Sequence, residues 1–455
     1  MPSSHHKVVV EKIADFHEMG VPEVFPRDLS LGEIVEPKAG NIVQVVVGMR
    51  RCGKTYRLYQ EIQRILDLGY PLDSILYFNF DDERLKPYES NLLDDVVESF
   101  FALNPRAKKK GAFFFFDEIQ EIPDWGVFMR RMVDTQKATI YATGSSSKML
   151  STHLATEFRG RSLSRELFPM SFSEFLRFHG NDVSAMNSLP GAAMSATTRA
   201  HLRNACSQYL RQGGFIATQQ LEPSDASQLL QEYANRTVSF DIIERYGVKN
   251  PRAVSLFLTR CLASSGRELS INKIHNDFKS RGISIGRDTL ASLLAYYEEA
   301  YMLFSIRNYS TALASNPRSV SKVYAADPAL FSAFSPAAST DAGQRLETAV
   351  FNKIRRQVPS WRVGAISRGA VSIGGKQCEI DFVIDQGVSS ECAQLIQVSL
   401  SMDEDETRER EFRALRAGMQ RFGVDESTIV TMDEEGEEAT PSGTIHIIPA
   451  WKWLV

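Results

Sequence analysis

The sequence contains few cysteines and no long apolar run. Five cysteines are present and none forms a C-x-x-C pair, which argues against a disulfide framework or a zinc site and favours a reducing compartment. The amino terminus, Met1 to Lys7, has no apolar signal-peptide core, and no run approaches the roughly 18 apolar residues of a membrane helix. We therefore expect a cytoplasmic protein without a membrane partner.

An excess of either charge is also missing. The chain carries 52 basic and 56 acidic residues among 455, for a net charge of −4. No global field therefore attracts it to nucleic acid or to a membrane, and any basic surface must be local. A hydrophobic content of 43% suffices for ordinary cores, and the length predicts about three globular domains.

A glycine-rich segment from Gly48 to Thr55 is the most informative motif. Its spacing, G-x-x-x-x-G-K-T, is that of a phosphate-binding P-loop, and it lies between the apolar run Ile42–Val47 and a helical pattern. The glycines let backbone N–H groups surround phosphate oxygens, Lys54 places a charge on the terminal phosphates, and the Thr55 hydroxyl can ligate Mg²⁺. The predicted nucleotide-binding residues are Gly48, Arg50, Arg51, Cys52, Gly53, Lys54, Thr55 and Tyr56.

A second motif places two acids after four phenylalanines, Phe113–Phe116. A continuous apolar run is typical of a strand buried on both faces of a parallel sheet, and ligands of such sheets lie at the carboxyl ends of the strands. We predict that Asp117 holds Mg²⁺, directly or through water, and that Glu118 polarises the attacking water as general base. The alternative is an acidic turn after a core strand.

Further elements surround these motifs. The pattern predicts strands at Ser74–Phe80 and Ala138–Ala142, preceded by an amino-terminal helix, Val8–Met19, and an extended segment, Val21–Asp28. The strand at Ala138–Ala142 ends in Thr143–Ser147. Small hydroxyl residues there can orient a water or touch a γ-phosphate, and they are equally common in turns.

Four ordered motifs within residues 42–175 resemble those of AAA+ ATPases. The match is to a prokaryotic family with a GxRRxGKS/T P-loop, a FDEIQ Walker B element, a TGSSS strand end and a GR…PxSFxEFL segment. The matching residues are Gly48–Thr55, Phe116–Gln120, Thr143–Ser147, Gly160-Arg161 and Pro169–Leu176. The resemblance implies an α/β fold with a P-loop parallel sheet, a helical lid, and ATP with Mg²⁺ as cofactors.

The resemblance also implies roles that the motifs alone do not assign. Ser145 or its neighbour acts as sensor 1, and Asn79 holds Glu118 inactive until a partner binds. Arg161 or Arg159 is implied as an arginine finger supplied to a neighbour's ATP, which makes a homo-oligomer one expected assembly. From the residues alone, a surface salt bridge explains these arginines equally well.

Three further domains are predicted after the ATPase core. We place the P-loop domain at residues 1–187, a helical lid at 188–249, a winged-helix-like domain at 250–331 and an α/β domain of PD-(D/E)xK type at 340–455. The lid contains Gly213–Ile216, where related ATPases have a GGFP turn. The proline is missing here, which puts a role of this turn in adenine recognition in doubt.

Short helices and two strand-like runs between Asn250 and Ala326 predict the winged helix. Such a domain reads DNA with its last helix, where Arg287 and Ser292 could contact bases, or it serves as a protein-interaction module. Glu298 and Glu299 near the end of that helix would repel phosphate. DNA and protein therefore both stay open as partners.

The carboxyl-terminal order of elements resembles the restriction-endonuclease-like PD-(D/E)xK fold. Glu347 lies on a predicted helix, Asp381 enters a strand, and Gln397 lies on the next strand. In active members an Asp, a Glu or Gln, and a Lys converge on Mg²⁺ to activate water. Ser399 stands where that lysine belongs, so the resemblance implies a degenerate nuclease fold, used for binding or assembly.

Two lysines elsewhere in this domain, Lys353 and Lys376, leave cleavage open as an alternative. We interpret the acidic stretch Asp403–Glu411 as the exposed face of a helix. The stretch Asp433–Glu438 is predicted to be a turn before a final strand, Thr444–Val455.

These observations favour an ATP-driven conformational switch of the AAA+ type. Contacts of γ-phosphate and Mg²⁺ would change how the lid, the winged helix and the terminal domain sit against one another or against a neighbour. A nucleic-acid-binding module with a regulatory ATP site is the alternative, and an ATP-regulated nuclease is the third hypothesis. The expected partners are ATP, DNA, a second copy of the chain or another protein.

Overall fold

The computed structural model divides the chain into two compact units, Met1–Phe168 and Pro169–Val455. It describes residues 4–144, 158, 160–181, 194–309, 320–335, 341–358, 362, 365–373, 375–384 and 394–455. None of the helices within these ranges combines the length and the hydropathy of a membrane-spanning segment. The four-domain division given above stays a prediction.

The first unit is a parallel α/β sheet with flanking helices. Its helices are α1 (His6–Met19), α2 (Lys54–Asp67), α3 (Leu92–Leu103), α4 (Pro105–Lys110) and α5 (Trp125–Thr135). Its strands are β1 (Val43–Val47), β2 (Ile75–Asn79), β3 (Ala112–Asp117), β4 (Ala138–Gly144) and β5 (Ser162–Glu166). All pairings are parallel, in the order β2-β3-β4-β1-β5, which confirms the predicted parallel sheet.

The phenylalanine run explains why β3 lies inside this sheet. All four residues of Phe113–Phe116 are fully buried, as expected when both faces of a parallel strand are covered. On one face Phe115 stacks on Tyr141 of β4, with ring centroids 4.7 Å apart. Because β1 and β3 both flank β4 and run in the same direction, the segments that follow them emerge at one edge of the sheet.

The second unit contains ten described helices. They are α6 (Phe172–Phe178), α7 (Ala196–Gln212), α8 (Pro223–Thr237), α9 (Pro251–Ala263), α10 (Ile271–Ser280), α11 (Arg287–Glu299), α12 (Pro328–Phe334), α13 (Ala342–Gln357), α14 (Asp405–Phe422) and α15 (Ala450–Trp453). A π-helix, Val238–Glu244, continues α8. The described part of residues 188–249, the predicted lid, thus consists of helices joined by short turns.

Its strands form two sheets. A three-stranded antiparallel sheet has the order β6-β8-β7, made of β6 (Arg267–Leu269), β7 (Leu303–Ile306) and β8 (Ser321–Ala325). A mixed sheet has the order β13-β14-β12-β11-β10-β9, made of β9 (Ile366–Ile373), β10 (Lys376–Ile384), β11 (Gln394–Val398), β12 (Glu426–Thr431), β13 (Gly436–Thr440) and β14 (Gly443–Pro449).

The smaller sheet lies within residues 250–331, where the winged-helix-like domain stays a prediction. From α9 to β8 the elements follow the order helix, strand, helix, helix, strand, strand. The end of α11 is covered within the same unit, because Tyr246 stacks on Tyr296 at 3.6 Å and donates a hydrogen bond to Glu299 at 2.6 Å. Burial raises the pKa of Glu298. The two glutamates are therefore partly buried rather than a free acidic end.

The mixed sheet has the helix and strand order expected of the nuclease-like domain. Helix α13 is followed by β9, β10 and β11, then by α14 and β12. Helix α14 supplies Phe412, Leu415 and Met419 to the core against one face of the sheet. A bulge interrupts the pairing of β10 with β9 between Ile380 and Val383, and Asp381 lies in it.

Two predictions for the chain end are wrong. The final strand stops at Pro449 and is followed by α15, because proline has no N–H with which to continue a ladder. The predicted turn Asp433–Glu438 contributes instead to β13, which pairs antiparallel with β14 at the sheet edge. Acidic side chains suit such an edge strand because they discourage pairing with another chain.

The prediction that Asp403–Glu411 is the exposed face of a helix holds for Asp405, Glu406 and Glu409 but is wrong for Glu411. Helix α14 begins at Asp405, and Glu411 is only 4% exposed. The Gln397 amide donates to Glu411 Oε2 at 2.7 Å, and Arg410 donates to Glu411 Oε1 at 2.5 Å. These two donors offset the cost of burying the carboxylate.

Candidate nucleotide site

The loop between β1 and α2 has the backbone conformation of an anion cradle. Gly48 and Gly53 have positive φ angles of 154° and 100°. A Cβ at Gly48 would lie 2.2 Å from the Leu167 carbonyl oxygen, so only glycine fits there. The loop ends at the amino terminus of α2, whose unpaired N–H groups and positive dipole end favour a phosphate.

Lys54 places its ammonium between this loop and β3. Its Nζ lies 3.2 Å from the carbonyl oxygens of both Gly48 and Met49. It also lies 3.7 Å from Glu118 Oε1, and the lysine is only 4% exposed. The structure thus brings together the predicted phosphate-binding cation and the predicted general base.

Thr55 and Asp117 meet at the same edge. The Thr55 hydroxyl donates to Asp117 Oδ2 at 2.7 Å, and the same oxygen accepts from Tyr77 at 3.0 Å and from Asn79 at 3.2 Å. The Thr143 hydroxyl donates to the other oxygen. Burial raises the pKa of Asp117, and the charge of Glu118 adds to this. A hydroxyl beside a buried carboxylate is a donor set that fits Mg²⁺.

Glu118 is held by its backbone and by a neighbouring amide. Its φ of 54° and ψ of 41° lie in the left-handed region, which costs a residue other than glycine about 1 kcal/mol. Its N–H donates to Thr143 Oγ1 at 2.9 Å, and the Gln120 amide donates to its Oε2 at 2.6 Å. The Asn79 amide donates to Asp117 and the Gln120 amide to Glu118, and the implied role of Asn79 toward Glu118 stays a prediction.

The other residues with implied roles are only partly described. Ser145 and Arg159 lie outside the described residues. Arg161 lies at the amino end of β5, opposite the P-loop edge of the sheet, and forms an ion pair with Asp134 in which both side chains are about half exposed. This geometry agrees with the salt-bridge alternative, and the finger role stays a prediction.

The remaining predicted contact residues lie in the loop or in the first turn of α2. Cys52 is buried, and burial raises the pKa of its thiol. Arg51 has a positive φ of 69°. Tyr56 is exposed and meets the ring of Tyr59 edge-on at 6.0 Å.

Arg27 is a site residue that the sequence reading missed. It is 5% exposed, donates from Nη1 to the Cys52 carbonyl oxygen at 2.9 Å and from Nη2 to the Phe168 carbonyl oxygen at 2.7 Å. Its own backbone N–H and C=O both bond the Gln60 amide of α2, at 3.0 and 3.1 Å. The guanidinium thus fixes the back of the P-loop. Its place in the extended segment Val21–Asp28 gave no signal of this role.

Thr143 and Gln120 could have been found from the sequence. Both belong to the TGSSS and FDEIQ motifs, in which roles were predicted only for neighbouring residues. Tyr77 lies two residues before Asn79 on β2, so it points to the same side of the strand. The two-residue alternation of side chains along a strand could therefore have indicated Tyr77.

The predicted nuclease-like residues also converge, in the second unit. Asp381 donates its backbone N–H to Gln397 Oε1 at 3.1 Å, and both Glu347 and Asp381 contact one ammonium. That ammonium belongs to Lys322 of β8, which precedes the predicted nuclease-like domain at residues 340–455. Ser399 donates its hydroxyl to the Ser401 carbonyl oxygen.

One of the two lysines considered as a substitute lies elsewhere. Lys353 donates to the Trp453 carbonyl oxygen and stands over the Trp453 ring, with Nζ 5.1 Å from the centroid. The Lys376 side chain lies outside the described part of the chain.

Two family models match the sequence. One, described as an AAA domain, covers residues 40–176, and the other, a domain of unknown function, covers residues 203–341. Among solved structures, Aeropyrum pernix Orc1 in complex with DNA is similar over 73% of this chain and 92% of that chain, at 13% identity and a TM-score of 0.29. A similarity this low carries no argument about function.

Two relatives match most of the chain. An uncharacterized Haemophilus influenzae protein is 24% identical over 358 residues, which are 78% of this chain and 85% of that protein. The uncharacterized protein MJ1544 of Methanocaldococcus jannaschii is 31% identical over 420 residues, which are 91% of this chain and 88% of that protein. With the AAA domain match and the P-loop geometry, the chain therefore belongs to the family of MJ1544, a prokaryotic family of AAA+ P-loop ATPases.

Proposed function

We propose that the protein binds Mg-ATP at the P-loop edge of its parallel sheet and hydrolyses it. The observation that carries this proposal is the 2.7 Å hydrogen bond between Thr55 and Asp117. It joins the end of the P-loop to the end of β3, the two places where the sequence predicts phosphate and metal contacts. The hydrogen bonds from Tyr77, Asn79 and Thr143 to Asp117 and the ion pair of Lys54 with Glu118 support it.

Each residue has a role that follows from its position. Backbone N–H groups between Gly48 and Thr55 bind phosphate oxygens, and Lys54 exchanges its two carbonyl partners for the terminal phosphates. Glu118 orients a water molecule and accepts its proton. Thr55 and Asp117 would hold Mg²⁺. When bound, Mg²⁺ would supply positive charge that neutralises the charge developing on the phosphate oxygens.

The test compares ATP binding and phosphate release in three variants of the full chain. Lys54→Ala is expected to abolish tight ATP binding, whereas Glu118→Gln retains binding and turns over on the order of 100-fold more slowly, because the proton acceptor is lost. Lys110→Ala, an exposed lysine at the end of α4, is the matched control and keeps both activities. A wild-type protein that neither binds nor hydrolyses ATP at any concentration would refute the proposal.

We further propose that nucleotide binding drives a conformational change. A ligand shifts an equilibrium only through contacts that differ between the two states. Lys54 and Glu118 provide such contacts, because their present partners compete with phosphate and water for the same atoms. Hydrogen exchange of Glu118→Gln with ATP and with ADP is expected to differ outside the P-loop. Identical exchange with both nucleotides would refute the switch while leaving the ATPase proposal intact.

We propose nucleic acid as the partner of the α10–α11 face. Lys273, Lys279 and Arg287 are exposed there, and Arg287 lies at the amino end of α11, 3.4 Å from Asn272 Oδ1. The basic side chains suit phosphate contact. Replacing Lys273 and Arg287 by Glu is expected to weaken DNA binding and flatten its salt dependence. Changing Lys108 and Lys109 of α4 to Glu is the control. A DNA affinity that changes neither with salt nor with the replacement of Lys273 and Arg287 would contradict the proposal and favour a protein partner.

A further inference from the structure

A buried lysine lies at the centre of the acidic cluster of the second unit. Lys322 of β8 places Nζ 2.8 Å from Glu347 Oε1, 3.1 Å from Asp381 Oδ1 and 3.2 Å from Glu379 Oε1. These carboxylates come from α13 and β10. An ammonium has three N–H donors and no acceptor, so its three acid partners satisfy it completely.

The charges at this cluster are balanced where it is buried. Lys322 and Arg368 have side chains only 8% and 7% exposed, and those of Glu347 and Asp381 are 14% and 11% exposed. The two acids at the rim, Glu379 and Glu268, are about half exposed. Two buried cations therefore face two buried carboxylates, an arrangement that leaves no net charge for a further cation to neutralise.

Each of the two buried carboxylates also accepts a second hydrogen bond. The Tyr324 hydroxyl donates to Glu347 Oε1 at 2.8 Å, and the Val398 N–H donates to Asp381 Oδ2 at 2.9 Å. Among the residues that the structure describes, no group of three His, Cys, Asp or Glu side chains is arranged to hold a metal ion. The Mg²⁺ that the nuclease-like fold implies therefore does not fit the residues as they stand.

The same residues join two sheets. Lys322 and Glu268 are directly opposed in the antiparallel pair β8 and β6, whereas Arg368 lies on β9 of the mixed sheet. The backbone N–H of Arg368 donates to the Arg307 carbonyl oxygen at 2.9 Å, and its carbonyl oxygen accepts from Tyr309 at 2.8 Å. The ion cluster is thus part of a junction between the winged-helix-like domain and the terminal domain.

We propose that Lys322 is a built-in cation that closes this acidic site. Its ammonium takes the position that a divalent cation would need, and it fastens β8 to the terminal domain. The terminal domain then serves as a fixed junction and not as a metal-dependent nuclease. Without the ammonium, three carboxylate oxygens would surround a point from which they now lie 2.8, 3.1 and 3.2 Å. We expect their mutual repulsion to be relieved by a divalent cation, toward which the side chains would move to reach ligation distances of about 2.0–2.6 Å.

The experiment measures Mn²⁺ binding to the full chain without nucleotide, by electron paramagnetic resonance of free Mn²⁺. The variants are Lys322→Ala, Asp381→Asn and the double variant. Each is compared with the wild type, so that Mn²⁺ bound at the P-loop contributes equally to both and drops out of the difference. Lys322→Ala is expected to gain one Mn²⁺ site per chain, and the double variant to lose it again. Wild type and Asp381→Asn are expected to bind Mn²⁺ equally.

A stability measurement keeps the proposal testable if Lys322→Ala folds poorly. Removing one partner of a buried ion pair is expected to lower the folding equilibrium constant by on the order of 100-fold or more. Mn²⁺ should restore the urea midpoint of Lys322→Ala and leave that of the double variant unchanged. A wild-type Mn²⁺ site that Asp381→Asn abolishes would overturn the proposal, as would a Lys322→Ala variant that gains neither Mn²⁺ nor stability from it.

Discussion

Gln120 Nε2 lies 2.6 Å from Glu118 Oε2 and donates a hydrogen bond to it. The amide oxygen of the same side chain is buried without a hydrogen-bond partner, and the amide nitrogen donates a second, longer hydrogen bond to Glu121 Oε1 at 3.4 Å. A carboxylate that must accept a proton from water is thereby held by a neighbouring donor. The two residues form a restraint within the FDEIQ motif.

Replacing Gln120 by Leu should raise basal ATP turnover. The variant removes the donor that holds Glu118, and a hydrogen bond to a charged group contributes about 1.5–3 kcal/mol, so an increase of about tenfold is expected. Steady-state phosphate release at saturating ATP measures it. Gln63→Leu on the exposed face of α2 is the matched control. An unchanged or lower rate in Gln120→Leu would show that this hydrogen bond does not restrain the base.

Thr143→Val should lower turnover more than ATP affinity. The hydroxyl links Asp117 to the Glu118 N–H, so its loss leaves a buried donor unpaired and costs about 1–3 kcal/mol in unfolding free energy. We expect ATP turnover to fall about tenfold and ATP affinity to change by a few-fold at most.

The control for this variant is Thr139→Val. Thr139 is buried at the opposite end of β4 and donates to the Val35 carbonyl oxygen at 2.7 Å. Its replacement should cost similar stability and leave turnover near that of the wild type. Equal losses of turnover in the two variants would show that Thr143 contributes to the stability of the fold and has no specific effect on turnover.

Arg27→Met should weaken ATP binding by about tenfold, because the P-loop loses the guanidinium that holds the Cys52 carbonyl oxygen. Arg27→Lys should recover only part of this affinity, since one ammonium cannot reproduce two divergent N–H donors. Calorimetry with a non-hydrolysable ATP analogue measures both. Arg64→Met, a partly exposed arginine of α2, is the control. An affinity of Arg27→Met for the ATP analogue equal to that of the wild type would show that the P-loop keeps its conformation without the guanidinium.

Asp327 should make the stability of the second unit depend on pH. It caps α12, accepts from the Gly214 N–H at 2.7 Å and the Ala329 N–H at 2.8 Å, and burial raises its pKa from 3.8 to about 6. The folded state therefore binds this proton more tightly than the unfolded state. Its contribution is fully present below about pH 4 and is lost as pH rises through about 6.

The measurement is urea unfolding of wild type and Asp327→Asn between about pH 4 and about pH 7. The difference in unfolding free energy between them should change by up to about 3 kcal/mol, with the wild type relatively more stable on the acidic side. Asp225→Asn, an exposed aspartate of α8, should show no such change. A constant difference across this range would refute the assignment to Asp327.

The sequence alone determined the local chemistry of the nucleotide site. The spacing from Gly48 to Thr55, the run Phe113–Phe116 and the acids behind it each have one strong structural reading, because glycine conformation and continuous burial are local properties. Once both segments follow parallel strands, their meeting at one edge follows. The AAA+ resemblance and the helix and strand order of the later domains rest on the same kind of local pattern.

The tertiary structure decided which side chains meet across the chain. The Gln120 amide donates to Glu118, Arg27 donates to the Cys52 carbonyl oxygen of the P-loop, and Lys322 of β8 contacts Asp381 of β10. No periodicity or spacing encodes such contacts, because a buried charge is matched in space and its partner can come from any strand that passes within about 4 Å. Residue types and their spacing predicted the phosphate site, whereas the tertiary packing determined which residues are the partners of its charged groups.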